Sequence, residues 1–220
     1  MGGVYTLGAS EGTTVSNNVI HHIHSYQYGG WGLYTDEGSY GIVMENNLVY
    51  ACKDAGFHQH YGKENLIRNN IFARNILSEI KFSRTEEHLS YSFTNNIVYL
   101  DSGELIDGDN ILKANVHYDY NCYWDTRVAT PRFRTLSFAE WKKTGRDKHS
   151  LVADPLFIDP VRFDFRIRNL SALRKIKFKP VDYSQAGVYG SEQWKEKAAM
   201  PAALERQFER LLQGEVNALE

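Results

Sequence analysis

The sequence predicts an all-β protein, a right-handed parallel β-helix (solenoid) with a C-terminal helical tail, and three observations lead there. A short Asn-Asn-apolar signature recurs at near-constant spacing, alternating strands recur in phase with it, and the end of the chain changes to helical spacing. The signature reads Val15-Ser16-Asn17-Asn18-Val19-Ile20, Met44-Glu45-Asn46-Asn47-Leu48-Val49, Ile67-Arg68-Asn69-Asn70-Ile71-Phe72 and Phe93-Thr94-Asn95-Asn96-Ile97-Val98. It returns in degraded form as Tyr118-Asp119-Tyr120-Asn121-Cys122-Tyr123. Its second Asn advances by 29, 23, 26 and 25 residues, a step too short for a strand-helix-strand unit and suited to one coil of a solenoid. A β-sandwich would place turn signals every ~8–12 residues and would not bring back one hexapeptide.

Each coil has only short strands and becomes stable by stacking on the next, so the bends must satisfy their polar groups between coils. Asn suits this place because it tolerates left-handed backbone and its amide can bond the same amide one coil away. Val19, Leu48, Ile71, Ile97 and Cys122 are then expected to point inward as an apolar stack.

Strands Gly3-Val4-Tyr5-Thr6-Leu7-Gly8, Gly32-Leu33-Tyr34-Thr35-Asp36-Glu37 and Gly56-Phe57-His58-Gln59-His60-Tyr61 align between these bends. Alternation sends Val4, Leu33 and Phe57 inward with Thr6, Thr35 and Gln59. Tyr5, Tyr34 and His58 form one outward row, and Leu7, Asp36 and His60 the next. Glu79-Ile80-Lys81-Phe82-Ser83-Arg84 continues the phase, with Lys81 after His58 and Ser83 after His60. At a coil spacing of about 4.8 Å, Asp36 should lie beside His60 and Tyr34 beside His58.

Beyond residue 125 the pattern weakens. Leu136–Lys143 reads as a short helix, because Ser137 and Glu140 have capping-box spacing and Gly145 follows. Phe163–Arg168 alternates as one more strand. The predicted organisation is 1–190, coils with an irregular C-terminal cap, followed by 191–220, a helical tail interrupted at Pro201 that covers the open end or packs along the solenoid.

A formal charge of −2 and a pI near 6.5 remove the footprint that nonspecific nucleic-acid or anionic-membrane binding needs. Aromatic residues at 13%, with 14 Tyr and 4 Trp, suit flat amphipathic ligands such as sugar rings. Cys52 and Cys122 stand in no metal or redox spacing and read as buried thiols. No stretch approaches the apolar length of a membrane span, and Met1-Gly2-Gly3-Val4-Tyr5 lacks the regions of a signal peptide. The chain starts inside a repeat, so an upstream half is expected, and the open N-terminal end is a candidate surface for a homo-oligomer.

The runs Gly29-Gly30-Trp31-Gly32-Leu33-Tyr34-Thr35-Asp36-Glu37-Gly38-Ser39, Gly56-Phe57-His58-Gln59-His60-Tyr61-Gly62-Lys63-Glu64-Asn65 and His149-Ser150-Leu151-Val152-Ala153-Asp154-Pro155-Leu156-Phe157 carry a resemblance. Over about residues 3–190 the chain resembles the C-terminal half of bacterial right-handed parallel β-helix proteins of the pectate-lyase-like superfamily. That resemblance implies a carbohydrate ligand, glycoside hydrolase or other polysaccharide-directed activity, and a secreted or periplasmic protein. The Gly-Asp-Phe it implies reads Phe163-Asp164-Phe165, and the Ser-Pro-Ala reads Ser171-Ala172-Leu173, so an unusual last coil is expected.

Glycoside hydrolysis uses two carboxyl groups flanking the scissile bond. Asp36, exposed before a Gly turn with His60 able to tune it or share its proton, is the first candidate, and a plain acidic turn is the alternative. Glu37 is adjacent, Glu64 and Asp54 lie in loops of the next coil, and Glu79 begins the one after. His58 and His60 could contact sugar and move protons, form a surface ladder, or bind a metal with Asp36. No cofactor or metal is assigned. Trp31, Tyr34 and Tyr5 are candidate sugar platforms. Lys81 and Arg84, with the histidines, support a competing lyase reading, in which cations neutralise a uronate carboxylate while a base removes the α proton. A glycan-binding or self-assembling solenoid without catalysis is the third reading.

Overall fold

The structure, a computed structural model, describes residues 1–212. Three parallel sheets form its wall, and each coil contributes a strand to each. The front sheet contains Gly2–Thr6, Trp31–Thr35, Ala55–Gln59, Ser78–Phe82 and Glu104–Asp107. The second contains Thr14–Ser16, Val43–Glu45, Asn65–Arg68, Tyr91–Thr94 and His117–Asp119. The third contains Val19–His21, Leu48–Tyr50, Ile71–Ala73, Ile97–Leu100, Cys122–Asp125 and Leu151–Val152.

The two tasks expected of the bend asparagine are divided between its two copies. The first Asn of each pair takes the left-handed backbone, with φ of 59° at Asn17, 57° at Asn46, 53° at Asn69 and 59° at Asn95, and Tyr120 does so at 55° in the degraded copy. The second builds the ladder. Asn18 Nδ2 donates to Asn47 Oδ1 at 2.9 Å, Asn47 to Asn70 at 3.0 Å, Asn70 to Asn96 at 3.0 Å and Asn96 to Asn121 at 3.3 Å. Asn121 Nδ2 passes the ladder on to Asp147 Oδ1, where it ends beside Ser150.

One expectation is overturned by this geometry. The second Asn points into the coil, so alternation turns the next residue outward and the one after it inward. Ile20, Val49, Phe72, Val98 and Tyr123 therefore join Leu33, Phe57, Ile80, Met44, Ile67 and Phe93 in the interior. Leu48, Ile71, Ile97 and Cys122 face out, with Val19 at the edge of the same group, and form a second core with Phe157, Phe165, Leu173, Ile176 and Phe178 of the following segment. That segment is pinned by the left-handed asparagines: Asn69 exchanges hydrogen bonds with the Lys179 backbone, and Asn95 Nδ2 donates to the Ile176 carbonyl.

The last coil departs from the pattern as expected. Phe157–Asp159 and Asp164–Ile167 pair antiparallel, and Phe163 holds φ of 60°, a backbone that favours the Gly implied there by the resemblance. Its ring stacks on Tyr50 at 4.9 Å. The helix Phe138–Lys143 carries the Ser137–Glu140 capping box, and its buried Trp141 donates to Asp147 at the C-terminal end of the solenoid. Helices Glu192–Ala198 and Ala202–Leu212 form the tail, with the Phe208 ring 5.0 Å from that of His22. Residues 213–220 of the expected tail lie outside the described residues.

Candidate functional site

The front sheet carries the register predicted for it. Tyr5 pairs with Tyr34, Tyr34 with His58, His58 with Lys81 and Lys81 with Asp107, giving one row across five coils. Asp36 and His60 follow the paired Thr35 and Gln59, and backbone bonds Asp36 N to Thr6 O and His60 N to Thr35 O extend the pairing.

Asp36 stands at the exit of its strand, before a turn made by Glu37 and Gly38. Its Oδ1 accepts from Tyr34 Oη at 2.6 Å and from His60 Nδ1 at 3.0 Å, and its Oδ2 accepts from Tyr5 Oη at 2.7 Å. Partial burial alone would raise the carboxyl pKa. The Tyr34, Tyr5 and His60 donors outweigh it and hold the group at about 2, so Asp36 is a carboxylate at ordinary pH. An ionised carboxylate only accepts, so the His60 proton must sit on Nδ1. Nε2 is then the nitrogen left facing outward, on a ring about one-third exposed. Glu37 is exposed, and among the described residues it makes no ion pair.

Three of the expected site residues are buried where the sequence suggests exposure. His58 is fully buried: its ring stacks on Tyr34 at 4.6 Å, meets Trp31 at 4.4 Å, and its Nε2 bonds Ser83 Oγ at 2.7 Å. Burial, with the nearby Lys81 charge, pushes it down to about 3, so it is a neutral packing group rather than an exposed proton carrier. Tyr34 and Trp31 are also buried, at 6% and 1% exposure, and offer no open ring face. Trp31 packs beneath Tyr28 of its own loop at 4.9 Å. Glu64 sits exposed at φ of 52° beside Lys63, off the row.

Lys81 does reach the row, but its Nζ lies 3.2 Å from both oxygens of Asp54 and 2.8 Å from Asp107. Arg84 is exposed with its guanidinium 4.5 Å above the Tyr61 ring. Glu79, weighed as a second carboxylate, is buried inside the wall, where it accepts from the backbone and side-chain nitrogens of Asn75. The metal reading of His58, His60 and Asp36 is not supported either, because His58 is turned to Ser83. Among the described residues no group of three His, Cys, Asp or Glu side chains is placed to hold an ion.

Three residues of the face were not singled out as site residues: Tyr28, Asp54 as a partner of Lys81, and Asp107. The signal for Asp107 was present, since Glu104-Leu105-Ile106-Asp107 continues the alternation one coil beyond Lys81. Tyr28 belongs to a loop, where alternation gives no placement.

The family model described as "Right handed beta helix region" matches residues 2–120. No curated protein and no solved structure matched the chain. The match spans more than half of the sequence and coincides with the coils that carry the front face, and the protein belongs to the right-handed β-helix family.

Proposed function

We propose that the front face binds a polysaccharide or oligosaccharide and hydrolyses a glycosidic bond, with His60 as the base and Asp36 as its positioning partner. One observation carries this reading: the ionised Asp36 accepts from His60 Nδ1 at 3.0 Å, which leaves Nε2 as an outward acceptor. Nε2 takes a proton from water as the water oxygen bonds to the anomeric carbon. The glycosidic C–O bond breaks, and the departing oxygen takes a proton from solvent. His60 then returns its own proton to solvent. Tyr5, 45% exposed and fixed to Asp36, supplies a ring edge and a phenol beside the reacting atoms.

The lyase reading draws less support, because Lys81 is paired with two carboxylates and Arg84 rests on Tyr61. A non-catalytic glycan-binding role is the second reading, and a specific feature favours it: both Asp36 oxygens are already engaged by three donors.

Product analysis separates the three. New reducing ends without ultraviolet absorbance support hydrolysis, and an absorbing unsaturated product supports the lyase. Glycan retained without either product supports the binding role. On a hydrolysed substrate, Asp36→Asn should lower turnover by about 10²–10⁴-fold, since an amide no longer enforces the His60 tautomer. Unchanged turnover in that variant rules out the assignment.

A further inference from the structure

We infer that the ligand of this face is an uncharged glycan, without carboxylate or sulfate groups, stacked on Tyr28. The inference rests on the glycan reading above and narrows it.

Charge weighs against the alternative. The middle of the face holds Asp36, Asp54 and Asp107 against one ammonium, Lys81, which two of those carboxylates already contact. Two further cations nearby are held by neutral partners. Lys53 Nζ donates to the carbonyls of Ser25 at 2.8 Å and Gln27 at 2.5 Å. Arg84 lies on Tyr61. Arg127, Arg132 and Arg134 line a separate cleft beyond the last front strand, where Arg127 pairs with Asp125 and Arg134 with Glu104 and Asp109. A polyuronate brings a carboxylate on every sugar. In the middle of this face it would meet a surplus of its own sign, with Lys81 already held between two carboxylates.

Shape supplies the positive half of the argument. Gly29 and Gly30 stand at φ of 105° and 94°, and this backbone folds the loop back so that Tyr28 lands edge-on against Trp31. Lys53 holds the same loop from below. The result is an aromatic side chain 69% exposed, mounted on a buried indole. Trp31 in turn packs at 4.4 Å on Tyr34, which bonds Asp36, and at 4.4 Å on His58, which pairs with Lys81, and this chain of rings sets Tyr28 beside both halves of the site. A pyranose ring can stack there through its C–H face with no need of charge, and the surrounding carboxylates can accept from its hydroxyls.

The test applies the whole chain, with Tyr28→Ala, Tyr28→Phe and Asp107→Asn variants, to an array of uncharged and uronic-acid polysaccharides at low salt. Uncharged glycans should be retained, with uronic-acid glycans at least about tenfold weaker. Tyr28→Ala should lose about tenfold on the uncharged glycans, while Tyr28→Phe retains them. Asp107→Asn, which releases Lys81 from one partner, should narrow the gap, as should salt at about 0.5 M. Preference for uronic-acid glycans, retention indifferent to Tyr28→Ala, or no retention at all overturns the inference. Turnover is read separately: retention of uncharged glycans without cleavage sinks the hydrolase reading and leaves this one standing, and cleavage confined to polyuronates does the reverse.

Discussion

At Asp36 the local chemistry is set by three donors that reach it from three coils, Tyr5, Tyr34 and His60. The consequence for pH is directional. The folded carboxyl titrates at about 2 against an ordinary 3.8, so its contribution to stability is present above the unfolded value and is lost as pH falls from about 4 through 2. At most this is about 2.5 kcal/mol, because one pKa unit corresponds to about 1.4 kcal/mol, and solvent screening at a partly open site reduces it. Tyr34→Phe removes the shortest of the three bonds and should raise the Asp36 pKa by about one unit, read as the carboxyl carbon shift in an NMR titration. His58 behaves in the opposite sense. It is neutral at working pH, so His58→Gln should lower thermal stability while leaving the pH profile of any turnover in place; a profile that moves would restore it to the proton path.

Between coils, the Asn-Asn bend shows how much the sequence discloses and where disclosure stops. Recurrence at one spacing gave the strand pairing, and through it the adjacency of Asp36 and His60, because registry in a parallel stack follows from the repeat alone. Burial of the outer row was not legible. Trp31, Tyr34 and His58 occupy outward positions, and only their stacking on one another, under a loop whose path no alternation specifies, removes them from water. The direction of Leu48 and Ile71 was misread for a related reason: the signature is apolar at two successive positions, so both faces of that strand look like core. The ladder itself makes a sharp prediction. Asn70 is buried, donates to Asn96 Oδ1 and the Met44 carbonyl, and accepts from both nitrogens of Asn47. Asn70→Ala strands these partners in the interior and should cost about 3 kcal/mol or more, measured by chemical denaturation. Asn18→Ala, at the exposed start of the ladder, should cost well under half of that.

On the scale of the whole molecule, two opposed demands act on one wall: the interior must stay dry while a polar face remains on the front. Glu79 shows the strain of this arrangement. Burial pushes its carboxyl up to about 8, against the Asn75 bonds that favour ionisation. The folded state therefore binds the proton more tightly than the unfolded chain. Stability is complete below the unfolded value of 4.5 and declines as pH rises toward 8. Glu79→Gln should flatten that decline in denaturation curves taken across the range, whatever it does to stability at one pH.

The third sheet is the other place where demands conflict, since Leu48, Ile71, Ile97 and Cys122 give it an apolar outer surface against which the segment from Phe157 to Tyr183 packs. The second core, the asparagine bonds to Ile176 and Lys179, and the Arg74 bonds to the Pro160 and Val161 carbonyls hold that cover, and none of them belongs to the interior of the coils. Cap and solenoid should therefore be separable by a change that touches only the outer surface. Ile71→Asp places an unpaired charge in the second core and leaves Phe72, its inward neighbour, untouched. The expected outcome is rapid proteolytic cleavage after about residue 153, with the coils up to Val152 surviving as a protected fragment that binds a hydrophobic dye. Loss of the whole chain at one rate would mean that the cap is part of the cooperative unit that keeps the coils stacked.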